Sequence, residues 1–358
     1  EQALLKEMCE AFAAAHPEAS YQFDYGVVSE ADARSRYSED PEAAADVFMF
    51  PNDQLRELAQ TSALYKVTRN KDDITARNMP GSIDAATYQD ALYAYPMTAD
   101  NGYFMYYDKS VFSEDDVKSL DQMLKVANEK GKKVYMDVSN GWYIASFFLG
   151  AGCNLTLDEA GLQVCDFNNA DGLAAAEAIK AFTADPAFTT GDDTTLTGSI
   201  GGSLAAGVSG AWLSADVEAK LGENYAAVKL PTFTKGGAQV QMASFGGYKL
   251  IGVNSLTKSP VAAMDLADWL TNKENQLKRF AARSYGPSNT EASESPEVAE
   301  NIALSALGAQ NAFALPQNDV LGAYWNPAEA FGLAMEQRDY SKALQEMLDN
   351  MVAQITTV

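Results

Sequence analysis

Histidine is nearly absent from this chain, which carries a single one, His16, among 358 residues. One histidine leaves Ser–His–Asp and Cys–His catalysis without support and removes a usual ligand of zinc. Basic residues are also few, since 26 Lys and Arg face 49 Asp and Glu and the formal net charge is −23. This charge argues against nucleic acid as a partner, because phosphates require clustered Lys and Arg. The sequence predicts no metal site, no cofactor and no catalytic residue.

Long apolar runs are missing as well. No stretch of about 18 consecutive apolar residues occurs, so the sequence predicts no transmembrane helix. No signal peptide is evident, so the sequence is expected to be that of a mature or shortened chain. We find no internal repeat and no low-complexity segment. A chain of 358 residues is longer than one hydrophobic core usually serves, which predicts about two domains. Its 47% hydrophobic residues are enough to form a sizeable core.

Cysteine is scarce too, with Cys9, Cys153 and Cys165 as its three occurrences. Cys153 and Cys165 flank a hairpin-like stretch and are symmetric about Glu159, so they could face each other across two strands. A disulfide between them and a pair of reduced thiols are both open interpretations.

Strand-like and helix-like patterns alternate along the chain. The strand-like runs are residues 21–24, 45–50, 134–138, 225–230 and 248–253. One helix is predicted to start at Ser119, with a capping box to Gln122, and to stop at Gly131. Another is predicted from Pro260 to Leu270. First and last helices are predicted from apolar faces near the two ends. This alternation predicts an α/β fold with mostly parallel sheets.

Aromatic residues follow several of the strand-like runs at turn signals: Phe50, Trp142, Trp212 and Trp325. Ligands of open α/β sheets bind beyond the carboxyl ends of strands. Flat rings there suit the apolar faces of sugars, because an aromatic side chain buries much surface and loses little entropy. Core packing is the alternative for any one of them, notably Phe50, and it fits Trp269 well.

Further segments occur in a fixed order along the chain: residues 92–100 with 106–109, 208–212, 225–233, 247–254 and 314–325. Together they resemble the extracellular solute-binding proteins of carbohydrate ABC importers, of the maltose/maltodextrin-binding type. The resemblance implies a periplasmic-binding-protein-like fold, with two α/β lobes joined by three crossovers and a ligand cleft between them. The implied lobes are residues 1–98 plus 251–293 and residues 103–245 plus 299–358. The first strand of the N-terminal lobe is expected to be missing from the sequence.

The resemblance also implies a ligand site. Its expected residues are Phe50, Asp53, Asp100, Asn140, Trp142, Trp212, Trp325, Asp32, Arg34 and Glu329. Phe50 and Asp53 correspond to an aromatic and acidic pair of the first lobe, and Asp100 to an acid at the first crossover. The sequence departs from the family pattern where Asn140 replaces an acid, where Asn326 replaces a tyrosine and where Glu329 replaces an arginine.

The function implied by the resemblance is binding of a malto-oligosaccharide and its delivery to a membrane ABC permease, with hinge closure on the ligand. The protein is expected to be a monomer outside the cytoplasm, in the periplasm or lipid-anchored to the outer face of a Gram-positive membrane. Another oligosaccharide is an alternative ligand. A thiaminase-like enzyme on the same fold is a further alternative, although Cys9 on the buried face of a helix is a poor nucleophile.

Overall fold

The computed structural model describes residues 2–356. The helices are α1 (Gln2–Ala15), α2 (Ala33–Glu39), α3 (Leu55–Gln60), α4 (Lys71–Arg77), α5 (Pro80–Ala85), α6 (Leu120–Lys130), α7 (Gly141–Gly150), α8 (Ala170–Ala184), α9 (Asp193–Ser199), α10 (Ser214–Leu221), α11 (Pro260–Leu270), α12 (Lys273–Arg283), α13 (Thr290–Ser293), α14 (Pro296–Ala299), α15 (Ile302–Asn311), α16 (Trp325–Glu336) and α17 (Leu344–Ile355). The strands are β1 (Val47–Pro51), β2 (Thr87–Tyr88), β3 (Ala91–Leu92), β4 (Ala94–Thr98), β5 (Phe104–Asp108), β6 (Lys133–Tyr135), β7 (Leu155–Leu157), β8 (Gln163–Cys165), β9 (Phe188–Thr189), β10 (Leu204–Ser209), β11 (Tyr225–Val228), β12 (Thr232–Lys235), β13 (Ala238–Gln241), β14 (Ser244–Gly246), β15 (Lys249–Val253) and β16 (Ala314–Pro316).

The chain divides into two compact units. The first holds the chain up to Asn101 together with Gly247–Glu300, and the second holds Gly102–Gly246 together with the chain from Asn301 on. The chain therefore passes from one unit to the other three times. Each unit has apolar clusters of its own, with Phe50 and Ile251 in the first and Phe147 in the second. Within residues 2–356, no helix is both long and apolar enough to cross a bilayer.

The sheet of the first unit has three strands in the order β1-β15-β4, and both pairings are antiparallel. β15 lies in the middle of the sheet and all five of its residues are buried, which accounts for the apolar run of residues 250–253. The remaining residue, Lys249, forms an ion pair with Glu30 at 2.7 Å. The prediction of mostly parallel sheets is wrong here. The reason is that β15, which follows the second unit in the chain, enters between β1 and β4 and runs against both.

Residues 21–24, predicted as a strand, form no regular element. Their alternating aromatics pack instead beside α1, where the Tyr21 ring lies edge-on to Phe12 at a centroid distance of 5.1 Å and stacks with Phe23 at 6.1 Å. The period-two pattern thus reflects an extended segment packed on a helix.

The main sheet of the second unit is mixed, in the order β11-β5-β10-β6-β9. β10 is parallel to β6 and β6 to β9, whereas β5 is antiparallel to both of its neighbours. Ser209 at the end of β10 pairs with Phe104 at the start of β5. The segments that follow β6 and β10 and the residue that precedes β5 therefore meet at one edge of the sheet.

The predicted helix ends of α6 and α11 are confirmed. α6 follows Ser119 and stops at Gly131, whose φ of 64° is the left-handed conformation that favours glycine. α11 runs from Pro260 to Leu270 as predicted. The capping box of α6 does not form, because the Gln122 side chain donates to Asp116 Oδ1 at 2.9 Å.

The hairpin between Cys153 and Cys165 is present as β7 and β8. Leu155 pairs with Cys165 and Thr156 with Val164, so the register is centred one residue beyond Glu159. Cys153 and Cys165 are therefore not opposite each other. Both thiols, like that of Cys9, are buried and unlinked.

Candidate functional site

Trp142 is held through both its backbone and its ring. Asn140 is the N-cap of α7, and its Oδ1 accepts the backbone N–H of Trp142 at 3.0 Å. The indole N–H of Trp142 donates to Gln317 Oε1 at 2.9 Å. The Tyr103 hydroxyl donates to the Trp142 carbonyl at 2.7 Å, and its ring stands edge-on at 4.6 Å. The half-buried indole is thus fixed at the edge of the sheet after β6.

Trp212 follows β10 in a 3-10 turn, Ala211–Leu213. A Cβ built on Gly210 would lie 1.9 Å from the Trp212 ring, so the indole folds back over the Gly210 backbone and requires glycine there. The Trp212 indole N–H donates to Asp193 Oδ2 at 2.9 Å, and Asp193 Oδ1 accepts the Ser209 hydroxyl at 3.0 Å. The first residue of α9 therefore sets the position of this ring.

The Trp142 and Trp212 rings are neighbours, with centroids 5.9 Å apart and planes at 34°. A pyranose sandwiched between two faces needs two carbon–carbon contacts, which is about 7 Å between the faces. The spacing is too short for that arrangement. The two rings therefore do not form a sandwich site but a surface that bends between them.

Trp325 begins α16, and its ring is edge-on to Tyr324 at 5.0 Å and to Phe245 at 5.9 Å. A Cβ on Gly141 would lie 3.6 Å from the Trp325 ring, so this indole packs beside the first turn of α7. The Tyr324 hydroxyl donates to the Gly141 carbonyl at 2.8 Å and ties the two helix starts together. We call Tyr103, Trp142, Trp212 and Trp325 the aromatic cluster.

Acidic groups lie on the segments that carry the aromatic cluster, before α7 and along α16. Asp137, between β6 and α7, is half-buried, and burial raises its pKa while the Ser139 hydroxyl, donating at 3.1 Å, opposes the shift. The nearby Glu336 carboxylate adds to the upward shift and accepts the Ser139 N–H at 2.8 Å. Glu329 is exposed one turn after Trp325 on α16. The second unit thus offers oxygen acceptors near its rings.

Phe50 has no place in the aromatic cluster. It is fully buried in the core of the first unit, where it pairs with Leu250 across the sheet and its ring lies 5.7 Å from that of Phe48. A Cβ on Gly252 would come 2.8 Å from the Phe50 ring. A ring enclosed in this way has no face open to a sugar. Phe50 therefore packs in the core and is not a stacking platform.

The other expected residues of the first unit have varied surroundings. Asp53 lies in the turn directly after β1 and is 8% exposed. Asp100 is 2% exposed, and its Oδ2 accepts the Gly286 N–H at 2.6 Å. Burial raises the Asp100 pKa even though Lys249 opposes the shift. Arg34 forms an ion pair with Glu57, and Asp32 is exposed. Asp100 therefore has a backbone partner, and a sugar contact by it stays a prediction.

Three residues whose side chains hold the Trp142 and Trp212 rings were not predicted from the sequence: Tyr103, Asp193 and Gln317. Asp193 lies in the polar, glycine-rich stretch from Asp192 to Gly202. Asp192 does cap α9, since its Oδ1 accepts the Thr195 N–H at 2.8 Å, but nothing in the sequence shows that Asp193 reaches Trp212. In residues 2–356, no group of three or more His, Cys, Asp or Glu side chains is placed to hold a metal ion.

Residues 7–306 match the model of a family described as bacterial extracellular solute-binding proteins. The chain belongs to this family. The family and the named relative below are binding proteins. This result agrees with the resemblance found in the sequence.

Named proteins similar to this chain extend the comparison. The galactooligosaccharide-binding protein of Bacillus subtilis (strain 168) is 24% identical over 336 residues, which cover 87% of this chain and 77% of the relative. A solved structure described as being with acarbose is 34% identical, with a TM-score of 0.90 over 99% of this chain and 94% of the other. The maltodextrin-binding protein MalE1 from L. casei BL23, without ligand, is 25% identical, with a TM-score of 0.81 over 99% and 95%. The predicted periplasmic-binding-protein-like α/β fold is confirmed.

Proposed function

We propose that this protein binds a malto-oligosaccharide, an α-1,4-linked glucan, at the aromatic cluster and delivers it to a membrane ABC permease. The observation that carries the proposal is the pair of Trp142 and Trp212 rings, 5.9 Å apart at 34°, with Trp325 at the neighbouring helix start. Similarity to a structure described as with acarbose and to a maltodextrin-binding protein supports the same class of ligand.

The chemistry of a neutral oligosaccharide suits this surface. Its pyranose rings have apolar faces that stack on indoles, and its hydroxyls need acceptors such as carboxylates. Because the two rings are tilted by 34°, they match a chain that curves from one sugar to the next better than a flat one. An α-1,4-glucan curves in this way, whereas cello-oligosaccharides are extended. Asp53, Asp100, Asn140, Asp32, Arg34 and Glu329 remain proposed polar contacts.

A calorimetric screen tests the proposal. Maltose, maltotriose, longer dextrins and acarbose are compared with galacto-, xylo- and cello-oligosaccharides, each with the wild-type protein and with Trp212→Ala. We expect α-1,4-glucans to bind most tightly and the variant to lose about tenfold or more in affinity, since stacking one ring buries a large area. Absence of binding by every α-1,4-glucan would contradict the proposal.

A galactooligosaccharide is the second candidate, because a relative that is 24% identical carries that name. The same screen separates the two sugars by their relative affinities. An enzyme is not proposed. Cys9 is buried and burial raises its pKa, and burial also raises the pKa of Cys153 and Cys165 to about 12, so none of them is readily ionised. Incubation with sugars followed by product analysis should show no consumption.

The setting that we propose follows from the family. The protein would work as a monomer outside the cytoplasm, in the periplasm or lipid-anchored to the outer face of a Gram-positive membrane, next to its ABC permease. Sedimentation of the purified protein tests the monomer, and fractionation of the native cells tests the location. Recovery of the native protein in the cytosolic fraction would contradict the proposed location.

A further inference from the structure

The indole N–H groups of the four Trp residues differ in their hydrogen-bond acceptors. Those of Trp142 and Trp212 donate to side chains, Gln317 and Asp193, each at 2.9 Å. That of Trp269 donates to the Met8 carbonyl at 3.0 Å in the first unit. Among residues 2–356, no protein acceptor is found for the N–H of Trp325. The two adjacent rings of the aromatic cluster are thus the two whose N–H groups are bonded to side chains.

Both acceptors are themselves fixed. Asp193 uses one carboxylate oxygen for Trp212 and the other for the buried Ser209 hydroxyl at 3.0 Å. Gln317 is 4% exposed and lies in the turn Gln317–Asp319. That turn is anchored by Gln163 of β8, whose amide donates to the Asp319 carbonyl at 3.2 Å and accepts the Leu321 N–H at 2.7 Å. A fixed acceptor restricts rotation of the ring that donates to it.

We propose that Asp193 and Gln317 are positioning residues, which lock the Trp212 and Trp142 indoles so that these rings meet a ligand through their faces alone. This inference rests on the proposed function for its ligand but not for its ring geometry. Because the rings are held in place before binding, less side-chain entropy is lost when the ligand binds. Because both N–H groups already donate to protein side chains, the two rings would contact the apolar face of a sugar and would not donate hydrogen bonds to its hydroxyls.

Hydrogen exchange of the indole N–H groups tests the ring geometry without any sugar. The four signals are assigned by NMR from single Trp→Phe variants of the whole protein. We expect slow exchange for Trp142 and Trp212 and fast exchange for Trp325. Asp193→Leu, which has no acceptor, should accelerate the Trp212 signal alone, and Gln317→Leu the Trp142 signal alone. A Trp212 signal that exchanges as fast as that of Trp325, or that ignores Asp193→Leu, would overturn the proposal.

Sugar affinity tests the consequence, with conservative variants as matched controls. Asn at position 193 can still accept from the indole and donate to the Ser209 hydroxyl, and Glu at 317 keeps an acceptor oxygen. We expect Asp193→Leu and Gln317→Leu each to weaken binding about fivefold to tenfold, the size of one hydrogen-bond contribution, and Asp193→Asn and Gln317→Glu to restore most of it.

A double-mutant comparison separates positioning from general damage. Trp212→Phe keeps a ring but removes the N–H, so Asp193→Leu should have no further effect on affinity in that background. An equal loss in both backgrounds would mean that Asp193 does not act through the indole and would overturn its assignment. If no sugar binds the wild-type protein while the exchange pattern is as expected, the proposed ligand is wrong and the ring positioning stands. Should Asp193→Leu fail to fold, the wild-type exchange rates of the four indoles and the Gln317→Leu variant still test the ring positioning.

Discussion

At the scale of single residues, Gly210 has the most direct control over the site. We expect Gly210→Ala to displace the Trp212 ring, because the new Cβ would lie 1.9 Å from it. Crowding of this kind costs about 1–3 kcal/mol, and here the half-buried ring can move instead of the core. Calorimetry should show a sugar affinity about tenfold lower, the equivalent of ~1.4 kcal/mol.

Gly308→Ala is the matched control for this change. Gly308 lies within α15 of the same unit, and an added Cβ would meet nothing within 4 Å. Alanine there should leave binding unaltered and raise stability slightly, because glycine is the poorer helix former. Equal sugar affinity in both variants would show that the position of the Trp212 ring does not matter for binding.

Asp53 and Asp100 give the second prediction at this scale. We expect Asp53→Asn to weaken sugar binding, since an amide oxygen is a weaker acceptor than a carboxylate. Asp100→Asn should lower both the melting temperature and the sugar affinity, because the buried Asp100 carboxylate accepts the Gly286 N–H and is also a proposed sugar acceptor. Calorimetry and thermal unfolding of both variants, with the exposed Asp72→Asn as the control, measure the two effects. Unchanged affinity for all bound sugars in Asp53→Asn would mean that Asp53 is not a ligand contact.

The aromatic residues show what single positions reveal in a sequence. Trp142, Trp212 and Trp325 follow turn signals, and the structure brings them to one part of the second unit. Phe50 follows the same kind of run, but it still belongs to β1 and points into the core. The difference is that Phe50 lies within its strand, whereas Trp142, Trp212 and Trp325 lie in turns and helix starts beyond strands. Strand ends are the least certain part of a pattern, so the sequence alone does not separate the two cases.

At the scale of elements, the sequence predicts where α6 starts but not the hydrogen bond that the Gln122 side chain makes there. Ser119 and Gln122 have the spacing of a capping box, and α6 does begin after Ser119. Yet the Gln122 amide donates to Asp116, whose other carboxylate oxygen accepts the Ser113 N–H at 2.9 Å and its hydroxyl at 2.7 Å. The Asp116 carboxylate, in the turn before the helix, takes the place of a capping partner for Gln122, and the capping-box pattern does not include this residue.

Asp116 therefore gives stability a defined dependence on pH. Hydrogen bonds from Gln122 and Ser113 lower its pKa from 3.8 to about 2. A lowered pKa stabilises the fold above pH about 4, and this contribution is lost as pH falls through about 2. Since the group is partly exposed, we expect less than about 1 kcal/mol. Denaturant unfolding between these pH values should show a shallower pH dependence for Asp116→Asn than for the wild type or for Asp115→Asn. Parallel profiles for all three would contradict the assignment.

At the scale of the whole molecule, the class of fold was accessible from the sequence but the strand order was not. Alternating helices and strands predict α/β, and the chain is α/β. The parallel sheet expected for the first unit fails because β15, which is distant in sequence, pairs with Phe50 on one side and Tyr95 on the other. Pairing between remote segments leaves no local trace in composition or periodicity. The same limit hid Asp193 and Gln317, which reach their indoles from other elements.

Ligand-driven closure and the predicted lobe boundaries stay predictions for the whole molecule. The chain passes between its two units at three places, next to Asn101, Gly246 and Glu300. Passages of this kind let compact units rotate while each core stays packed. A ligand can shift such an equilibrium only by binding one state better than the other. We therefore expect maltotriose at saturation to reduce the radius of gyration measured by solution X-ray scattering. Trp212→Ala at the same sugar concentration, too low to saturate the weakened site, should show a smaller change. Superimposable wild-type curves with and without a sugar that calorimetry shows to be bound would rule out closure.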